Sequence, residues 1–388
     1  MAAAVPRGAV GGVFGGGGLA VGRCWLLWAL MGLRLAVLAA ARAPAVVVNT
    51  WPFVEAARAA HASVAAAHPH VDVERCLDAL VAGCATCERM QCDGSVGYGG
   101  SPDETGETTL DALVFDGTNM RAGAVADLRN VRDAVAAARF VMTHTTHTIL
   151  AGEAASDFAV SMGLARSNLT TKASAAIEAQ WRASNCQPNY RRPQPDYSPD
   201  PRTSCGPYER RQSSDGTADA HGTGPPRSRK DHDTIAMVVL AGGHAVAGTS
   251  TNGASHKVPG RVGDSPVPGA GAYAVSGVGG CGATGDGDVS LRFLPCFLAV
   301  ELLRNTPVPQ DERSNQERVQ RIACAPLARV AEHYPAATTY LALFVVDAGG
   351  THAGCSLGPW NFTYTVFATG SPGAQVFAGL PFSAPASV

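Results

Sequence analysis

Short apolar runs alternate with longer alanine-rich stretches along the chain, which predicts alternating strands and helices. In the first half, continuous apolar runs predict strands at 45–51 and 108–117. The alanine-rich stretches of this half predict helices, at about 53–67, 73–90, 131–144 and much of 154–184. This half is therefore predicted to be of the α/β class.

The second half opens with TIAMVVLAGGHAVAGTST (234–251), which predicts a β-hairpin that turns at Gly242-Gly243. Glycine-rich sequence predicts loops from 253 to 288. The remaining elements are predicted as two helices and two strands, at about 289–304, 313–332, 339–348 and 362–369. Strands and helices therefore occur in both halves of the chain.

A polar tract, residues 185–230, separates the two halves. It has almost no apolar periodicity and is rich in proline, glycine, serine and charge, a composition that buries too little apolar surface to offset the entropy of ordering. We predict disorder over roughly 208–230, and Cys186 and Cys205 are placed to staple the earlier part. The two halves are predicted to form one layered α/β domain that this tract interrupts.

Length and composition limit the class of protein. The 388 residues, 46% of them hydrophobic, suffice for one large core or two ordinary ones. A formal net charge of −2 and a charged fraction of only 16% argue against nucleic-acid binding, which needs a basic face.

The first residues have the pattern of a secretory signal peptide. Basic residues precede an apolar run at 24–40, which Arg34 interrupts and which is short for a membrane span. Small residues follow it, so we predict a signal peptide over 1–43, with cleavage after Ala41 or Ala43. A signal anchor is the alternative interpretation.

Secretion would place the chain in an oxidising compartment. One of the 11 cysteines, Cys24, lies in the predicted signal peptide, so the others are candidates for disulfides. Two acceptor sequences for N-glycosylation, at Asn168 and Asn361, agree with this route.

The segment SRKDHDTIAMVVL (228–240) places Thr234 where a charged stretch meets the predicted hairpin. A threonine hydroxyl is a weak nucleophile unless a base lies beside it, and an N-terminal threonine supplies its own α-amine. That amine has an ordinary pKa of about 7.7–8.0. The chemistry requires the chain to be broken between Asp233 and Thr234. The alternative is that Thr234 only begins a strand.

Loops after the hairpin carry residues suited to an amino-acid substrate. The hairpin returns Thr251 to the side of Thr234. In GRVGDSPVPGAGAY (260–273), Arg261 and Asp264 are spaced to clamp the α-carboxylate and α-ammonium of an amino acid. A local salt bridge between them is the alternative.

The segment GATGDGD (282–288) offers two candidate donors for an oxyanion, the Thr284 side chain and the Gly285 N–H. Ordinary glycine turns are the alternative interpretation of this segment.

Together these motifs resemble the glycosylasparaginases, or aspartylglucosaminidases, of the N-terminal-nucleophile hydrolase superfamily. The resemblance runs from VVNTWPF (47–53) to the C-terminal strands. It is carried by the order of specific motifs, which are NTWPF, GCATCERMQCDGSVGYGGSPDETGETTLDA, RNVRDAVAAARFVMTHTTHTIL, NCQPNY, CGPY, HDTIAMVV, AGTSTNG, GRVGDSPVPGAGAY and ATGDGD.

The resemblance implies a four-layer αββα sandwich and self-cleavage within His232-Asp233-Thr234. It implies a large chain, 44–233, whose flexible linker covers about 206–233, and a small chain, 234–388. The two chains would form one domain. It further implies a dimer of such heterodimers, no cofactor, no metal, no nucleic acid, no membrane in the mature form, and a lysosomal location, with secretion as the alternative.

The implied reaction is hydrolysis of the amide between N-acetylglucosamine and asparagine, with Thr234 as nucleophile and, through its freed amine, as base. Thr251 would support Thr234, and Thr284 with Gly285 would form the oxyanion hole. The implied substrate-binding residues are Arg261, Gly263, Asp264, Thr284, Gly285, Gly287, Trp51 and Ser95.

The cysteines follow the family in part. The resemblance implies disulfides Cys87–Cys92 and Cys186–Cys205. Cys324 and Cys355 lack their usual partners, so they pair with each other or stay free. Two cysteines are additional, Cys281 and Cys296, which form either a disulfide or free thiols, the first of them near Thr284. The pairing of Cys76 and Cys84 is open.

Two other functions compete. Isoaspartyl peptidases and L-asparaginases of the same superfamily share GRVGDSP-type loops, and a secreted, uncleaved binding protein is the non-enzymatic alternative. The basic run 227–230 is either a solvated linker or a processing site, which would leave Thr234 blocked by three residues.

Overall fold

The computed structural model describes residues 45–66, 71–210 and 234–382. The predicted signal peptide, most of the predicted linker, the basic run, and His232 with Asp233 lie outside these ranges. Within them, no helix combines the length and the apolar character that a membrane span requires.

Fifteen strands in the described ranges form three sheets. In chain order they are β1 (Val46–Thr50), β2 (Leu110–Asp116), β3 (Arg121–Leu128), β4 (Ile149–Ala151), β5 (Tyr197–Ser198), β6 (Glu209–Arg210), β7 (Ile235–Ala241), β8 (His244–Thr251), β9 (Ala272–Val275), β10 (Gly279–Gly285), β11 (Leu341–Asp347), β12 (His352–Leu357), β13 (Thr363–Ala368), β14 (Gln375–Ala378) and β15 (Leu380–Pro381). The large sheet has the order β14-β13-β1-β7-β8-β2-β3-β4, and a five-stranded sheet has the order β15-β12-β11-β10-β9. Strands β5 and β6 pair alone.

The α-helices of the described ranges follow the alanine-rich stretches of the first half and the amphipathic stretches of the second. They are α1 (Val54–Ala65), α2 (Val73–Met90), α3 (Ala134–His144), α4 (Gly152–Ser161), α5 (Lys172–Ala183), α6 (Gly287–Phe293), α7 (Pro295–Asn305) and α8 (Glu312–Ala331). Each helix predicted in the first half is confirmed. The helix predicted near 289–304 is divided at Leu294, whose φ of 48° ends α6 before α7 begins.

The two large sheets pack against each other, and helices cover their outer faces. Along β7, Ala236, Val238 and Leu240 face the five-stranded sheet, whereas Met237 and Val239 pack with helices α1–α3. Helices α7 and α8 cover the other side of the five-stranded sheet. Because β7 is buried on both faces, its sequence is a continuous apolar run rather than an alternating one.

The prediction of loops throughout 253–288 is wrong, because β9 and β10 lie there. Glycine and alanine dominate β10, and they have little intrinsic preference for strands. The close approach of the two large sheets explains why small residues occupy β10. A Cβ at Gly280 would lie 2.7 Å from Val238 Cγ1, and one at Gly282 would lie 2.8 Å from Ala236 Cβ, both on β7 of the large sheet. Larger side chains would push the sheets apart.

Four disulfides are present in the described ranges: Cys87–Cys92, Cys186–Cys205, Cys281–Cys296 and Cys324–Cys355. The first two are those that the resemblance implies. Of the open alternatives, both remaining pairs are disulfides rather than thiols. Cys76 and Cys84 are free and buried.

Glu88 is a carboxyl group buried between α2 and the large sheet. It accepts hydrogen bonds from Ser250 Oγ, at 2.6 Å, and from the Val135 N–H, at 2.9 Å. Burial nevertheless raises its pKa to about 8. The folded chain therefore holds a proton that the unfolded chain, with an ordinary glutamate pKa of about 4.3, releases. Stability should fall as the pH rises from about 4 to about 8.

We expect Glu88→Gln to be more stable than the wild type at pH 8, by about 1–3 kcal/mol, because on folding the wild type must either take up a proton or bury a charge, and glutamine does neither. The variant should also lose most of the change in stability between pH 5 and pH 8. Thermal unfolding at both pH values tests this, with the exposed Glu332→Gln as control. Parallel pH dependence in all three proteins would show that Glu88 does not titrate as described.

Candidate active site

Thr234 lies buried immediately before β7, where a neighbouring threonine fixes its backbone. The Thr50 Oγ1 hydroxyl donates to the Thr234 carbonyl at 2.5 Å and accepts from the Ala236 N–H at 2.9 Å. Thr50 ends β1, the strand paired with β7. The Thr50 hydroxyl thus binds the backbone of the residues before and after Ile235, at the start of β7.

The predicted hairpin is confirmed and places Thr251 at the Thr234 end. Strands β7 and β8 pair with Ile235 opposite Ser250, so Thr251 lies at the start of β7. Its Oγ1 donates to the Ser95 carbonyl at 3.3 Å and accepts from the Gly253 N–H at 2.9 Å.

A small pocket brings most of the predicted site residues together. It is lined by Thr234, Thr251, Gly253, Arg261, Gly263, Asp264, Ser265, Gly285 and Gly287. Three further predicted residues lie beside it. The Trp51 Nε1–H donates to Thr284 Oγ1 at 3.3 Å, and Ser95 contacts Thr251 through its carbonyl.

The predicted clamp, Arg261 and Asp264, is buried in this pocket. Arg261 Nη2 lies 3.0 Å from Asp288 Oδ2, and the Arg261 Nε–H has no partner within the described part of the chain. Burial raises the pKa of Asp264 to about 6, and Arg261 counteracts this shift. Two oppositely charged groups are therefore held in a largely buried site, where their electrostatic interactions are stronger than in water.

Glycine is required next to the clamp. A Cβ at Gly287 would lie 2.7 Å from Asp264 Oδ1, and one at Gly263 would lie 2.8 Å from Arg261 Nη1. Any side chain at either position would displace the clamp.

The backbone turns into the pocket at Gly285, the last residue of β10. Its φ is 113°, and a Cβ there would lie 2.4 Å from the Tyr340 carbonyl oxygen. The next residue, Asp286, caps α6 by accepting from the Val289 N–H at 3.2 Å. Strand end and helix start thus fix the segment that carries both predicted oxyanion donors.

A functional group that the sequence reasoning missed is Lys257, which is only 3% exposed. Its ammonium donates to the Asn252 carbonyl at 2.7 Å, and burial lowers its pKa to about 8. It lies among acidic groups that include Asp111, which accepts from the Gly263 N–H at 3.3 Å. The signal available in the sequence was that the chain has only three lysines, one of them inside a glycine-rich loop of the candidate site.

No group of three or more His, Cys, Asp or Glu side chains in the described ranges is arranged to hold a metal ion. The pocket itself presents hydroxyl groups, a charged pair and the backbone of several glycines.

Sequence comparison identifies the family. The sequence profile of the asparaginase family (Asparaginase_2) matches residues 35–322, more than half of the chain. The chain belongs to the asparaginase family. This asparaginase-family chain is accordingly a mixed α/β protein with large mixed sheets and the N-terminal-nucleophile hydrolase fold that the family implies.

Relatives of this asparaginase-family chain are named either as isoaspartyl peptidase/L-asparaginases or as N(4)-(β-N-acetylglucosaminyl)-L-asparaginases. A probable isoaspartyl peptidase/L-asparaginase 3 of Arabidopsis thaliana is 43% identical over 349 residues, 87% of this chain and 90% of the relative. The N(4)-(β-N-acetylglucosaminyl)-L-asparaginase of Rattus norvegicus is 50% identical over 277 residues, which are 71% of this chain and 76% of the relative. The enzyme of that name from Mus musculus is 45% identical over 331 residues, which are 83% of this chain and 86% of the relative.

Proposed function

We propose that this chain cleaves itself between Asp233 and Thr234 and then hydrolyses the amide bond between N-acetylglucosamine and asparagine. The observation that carries the proposal is that Thr234 shares one buried pocket with Arg261 and Asp264. A nucleophile and a charged clamp in one pocket suit a free amino acid whose side chain is the reacting group.

Self-cleavage would begin with attack of Thr234 Oγ1 on the Asp233 carbonyl carbon. The peptide C–N bond breaks as the C–O bond forms, and the proton of the hydroxyl passes to the departing amine. Water then hydrolyses the resulting ester, which frees the carboxylate of Asp233 and restores the Thr234 hydroxyl. The products are a large chain, 44–233, and a small chain, 234–388.

Substrate hydrolysis would use the same oxygen. The freed α-amine of Thr234 takes the hydroxyl proton while the oxygen attacks the side-chain carbonyl of asparagine. The Thr284 side chain and the Gly285 N–H stabilise the oxyanion. The amine then protonates the leaving nitrogen, the glycosylamine departs, and water releases aspartate from the ester.

The remaining groups would hold the amino acid. Arg261 binds the α-carboxylate and Asp264 the α-ammonium, with Gly263 and Gly287 leaving space for both. Thr251 supports Thr234 from the end of β8, beside the start of β7. Trp51 borders the reacting end. Such a clamp accepts an asparagine only after proteolysis has freed both its α-groups, which fits a lysosomal enzyme that the signal peptide 1–43 directs into the secretory pathway.

The proposed architecture is the four-layer αββα sandwich, supported by helices on the outer faces of two packed sheets. We also propose a dimer of large-chain and small-chain heterodimers, on the basis of the resemblance alone.

We expect Asp264 to add its own limb to the pH profile of kcat/KM, a further tenfold fall per pH unit below about pH 6, in addition to the limb of the Thr234 amine. The pKa of Asp264 is raised to about 6 by burial, and only the ionised carboxylate binds the substrate ammonium. Lowering the pH protonates the clamp and removes that attraction. The pH profiles of kcat/KM for the wild type and Asp264→Asn test this. The variant should be slow and lack this limb; an unchanged limb in it would assign the titration to another group.

The experiment that tests the function compares three substrates with the purified, self-cleaved protein. Release of aspartate is measured from N-acetylglucosaminyl-asparagine, L-asparagine and a β-aspartyl dipeptide. Release of N-acetylaspartate is measured from a blocked control, a glycosylated asparagine whose α-amine is acetylated. We expect the highest kcat/KM for the glycosylated asparagine and no turnover of the blocked control. Hydrolysis of the blocked compound would contradict the clamp.

The second candidate is an isoaspartyl peptidase/L-asparaginase. It is favoured by the Arabidopsis thaliana relative, which this chain matches over 87% of its length, and by a clamp that contacts only the amino-acid end. Faster release of aspartate from the β-aspartyl dipeptide would establish it. Absence of turnover and of cleavage would leave the non-enzymatic alternative.

A further inference from the structure

The disulfide between Cys281 and Cys296 lies on the face of the five-stranded sheet that is turned away from the large sheet. Along β10, Cys281 and Ala283 pack with α7 and α8, whereas the glycines at 280 and 282 approach β7. Thr284 follows this alternation and belongs to the inner face. The disulfide therefore holds the outer face of the strand whose inner face carries a proposed oxyanion donor.

Cys296 anchors the first turn of α7. This helix begins at Pro295, directly after Leu294, whose φ of 48° separates it from α6. Within the first turn Cys296 is completely buried, whereas Phe297 is 44% exposed. Because α7 does not continue the direction of α6, the covalent bond to β10 fixes where α7 starts.

The start of α7 holds a short segment of the preceding loop, residues 269–271. The Phe297 N–H donates to the Gly269 carbonyl at 2.9 Å, and Cys296 Sγ lies 3.8 Å from the Gly271 carbonyl oxygen. A Cβ at Gly269 would lie only 2.9 Å from Phe297 Cβ. The segment is thus packed directly against the first turn of α7.

The same segment lies behind the charged clamp. A Cβ at Gly271 would lie 2.9 Å from the Asp264 carbonyl oxygen and 2.9 Å from Ser265 Cα. On its other side, the Gly271 carbonyl accepts from the Ala283 N–H of β10 at 2.8 Å. The backbone of Asp264 therefore rests on a segment that β10 and α7 hold together.

We propose that the Cys281–Cys296 disulfide fixes the clamp relative to the oxyanion donors, so that both cysteines are positioning residues for the reaction. One sulfur belongs to β10, the strand that carries Thr284 and Gly285. The other belongs to the turn that holds the segment behind Asp264. Small misplacements of reacting groups cost large factors in rate, so a covalent link between these two supports acts on catalysis. This inference rests on the proposed function and deepens it.

The competing role of this disulfide is stabilisation alone. A cross-link stabilises a fold mainly by constraining the unfolded chain, which leaves the geometry of the folded site unchanged. The disulfide Cys324–Cys355 provides the matched control, because it joins α8 to β12, two elements of the same small chain that carry none of the proposed site residues.

The test compares Cys281→Ala/Cys296→Ala with Cys324→Ala/Cys355→Ala, each after formation of the small chain has been verified. Both double variants should have a lower Tm, by roughly 5–10 °C. At a temperature well below both transitions, only the first should lose kcat/KM for N-acetylglucosaminyl-asparagine. The expected loss is roughly ten- to a hundredfold, the scale for a displacement of reacting groups by a fraction of an ångström to one ångström.

A second readout is the binding of L-aspartate, the product that occupies the clamp, measured by calorimetry on the cleaved proteins. Its Kd should rise roughly tenfold in Cys281→Ala/Cys296→Ala and stay unchanged in the control. Cys281→Ala/Cys296→Val refills the space of the lost sulfur atoms with apolar atoms. It should show the same losses, and it replaces the alanine pair if that variant yields no small chain.

Unchanged kcat/KM and unchanged L-aspartate affinity, in a cleaved variant with a lower Tm, would show that the disulfide only stabilises the fold and would overturn the proposal. Equal losses in both double variants would overturn it as well. A wild type that binds L-aspartate but does not hydrolyse the glycosylated compound would overturn the proposed function, and the binding measurement would still decide the positioning role.

Discussion

Thr234→Ala should remain a single chain and lose hydrolysis of glycosylated asparagine by roughly 10⁶-fold, the scale for removal of a catalytic nucleophile. Thr234 is buried, and its carbonyl is held by Thr50, so loss of the hydroxyl leaves the surrounding hydrogen bonds in place. The variant should therefore fold and fail only in chemistry.

The measurement is the N-terminal sequence of the small chain, with no protease added. The wild type should yield a chain that begins Thr-Ile-Ala-Met, and Thr234→Ala should yield none. Thr234→Ser keeps a hydroxyl and should still be cleaved, more slowly. A wild-type small chain that begins at Asp231 would show processing at the basic run instead and would leave the nucleophile blocked.

Lys257→Met should lower the free energy of unfolding by about 3–5 kcal/mol, the usual result of removing one partner from a buried charge network. Lys257 lies near three carboxylates, those of Asp103, Asp111 and Asp127. Without the ammonium these carboxylates lose a compensating charge in a buried environment. The Asn252 carbonyl also loses its 2.7 Å hydrogen bond.

Activity should fall as well, because Lys257 supports the loop that carries the clamp. A Cβ at Gly253 would lie 3.2 Å from Lys257 Nζ and 3.3 Å from Arg261 Nη1, so the loop is packed between two cations. Thermal unfolding should show a decrease in Tm of roughly 10 °C. Lys172→Met, on the exposed face of α5, is the matched control. Equal Tm values for the two variants would contradict a structural role for Lys257.

The elements that the sequence predicted correctly have strong periodicity or unambiguous turn chemistry. The hairpin around Gly242-Gly243 and the alanine-rich helix α2 are examples. Strand β10 was missed because its glycines allow the two sheets to approach each other closely. That requirement comes from tertiary packing and leaves no local pattern in the sequence. The division between α6 and α7 depends on one residue, Leu294, with positive φ.

Those residues of the candidate site that lie in short sequence motifs were predictable. Thr234, Arg261, Asp264 and Thr284 lie in compact segments whose residue types suggest their chemistry. Lys257 was not predictable in this way, since its partners come from distant parts of the chain.

The pairing of β1 has a consequence for the two chains that self-cleavage would produce. Strand β1 belongs to the proposed large chain, yet it lies between β7 and β13, which both belong to the small chain. Because β2 of the large chain also pairs with β8 of the small chain, pulling the chains apart would break three antiparallel ladders and expose both faces of the sheet. Cleavage would thus be a change in covalent connectivity without a change in assembly. The order of events follows from this strand order. The polypeptide has to fold as one molecule before it is cleaved, because chains made separately would have to interleave their strands to form the same enzyme.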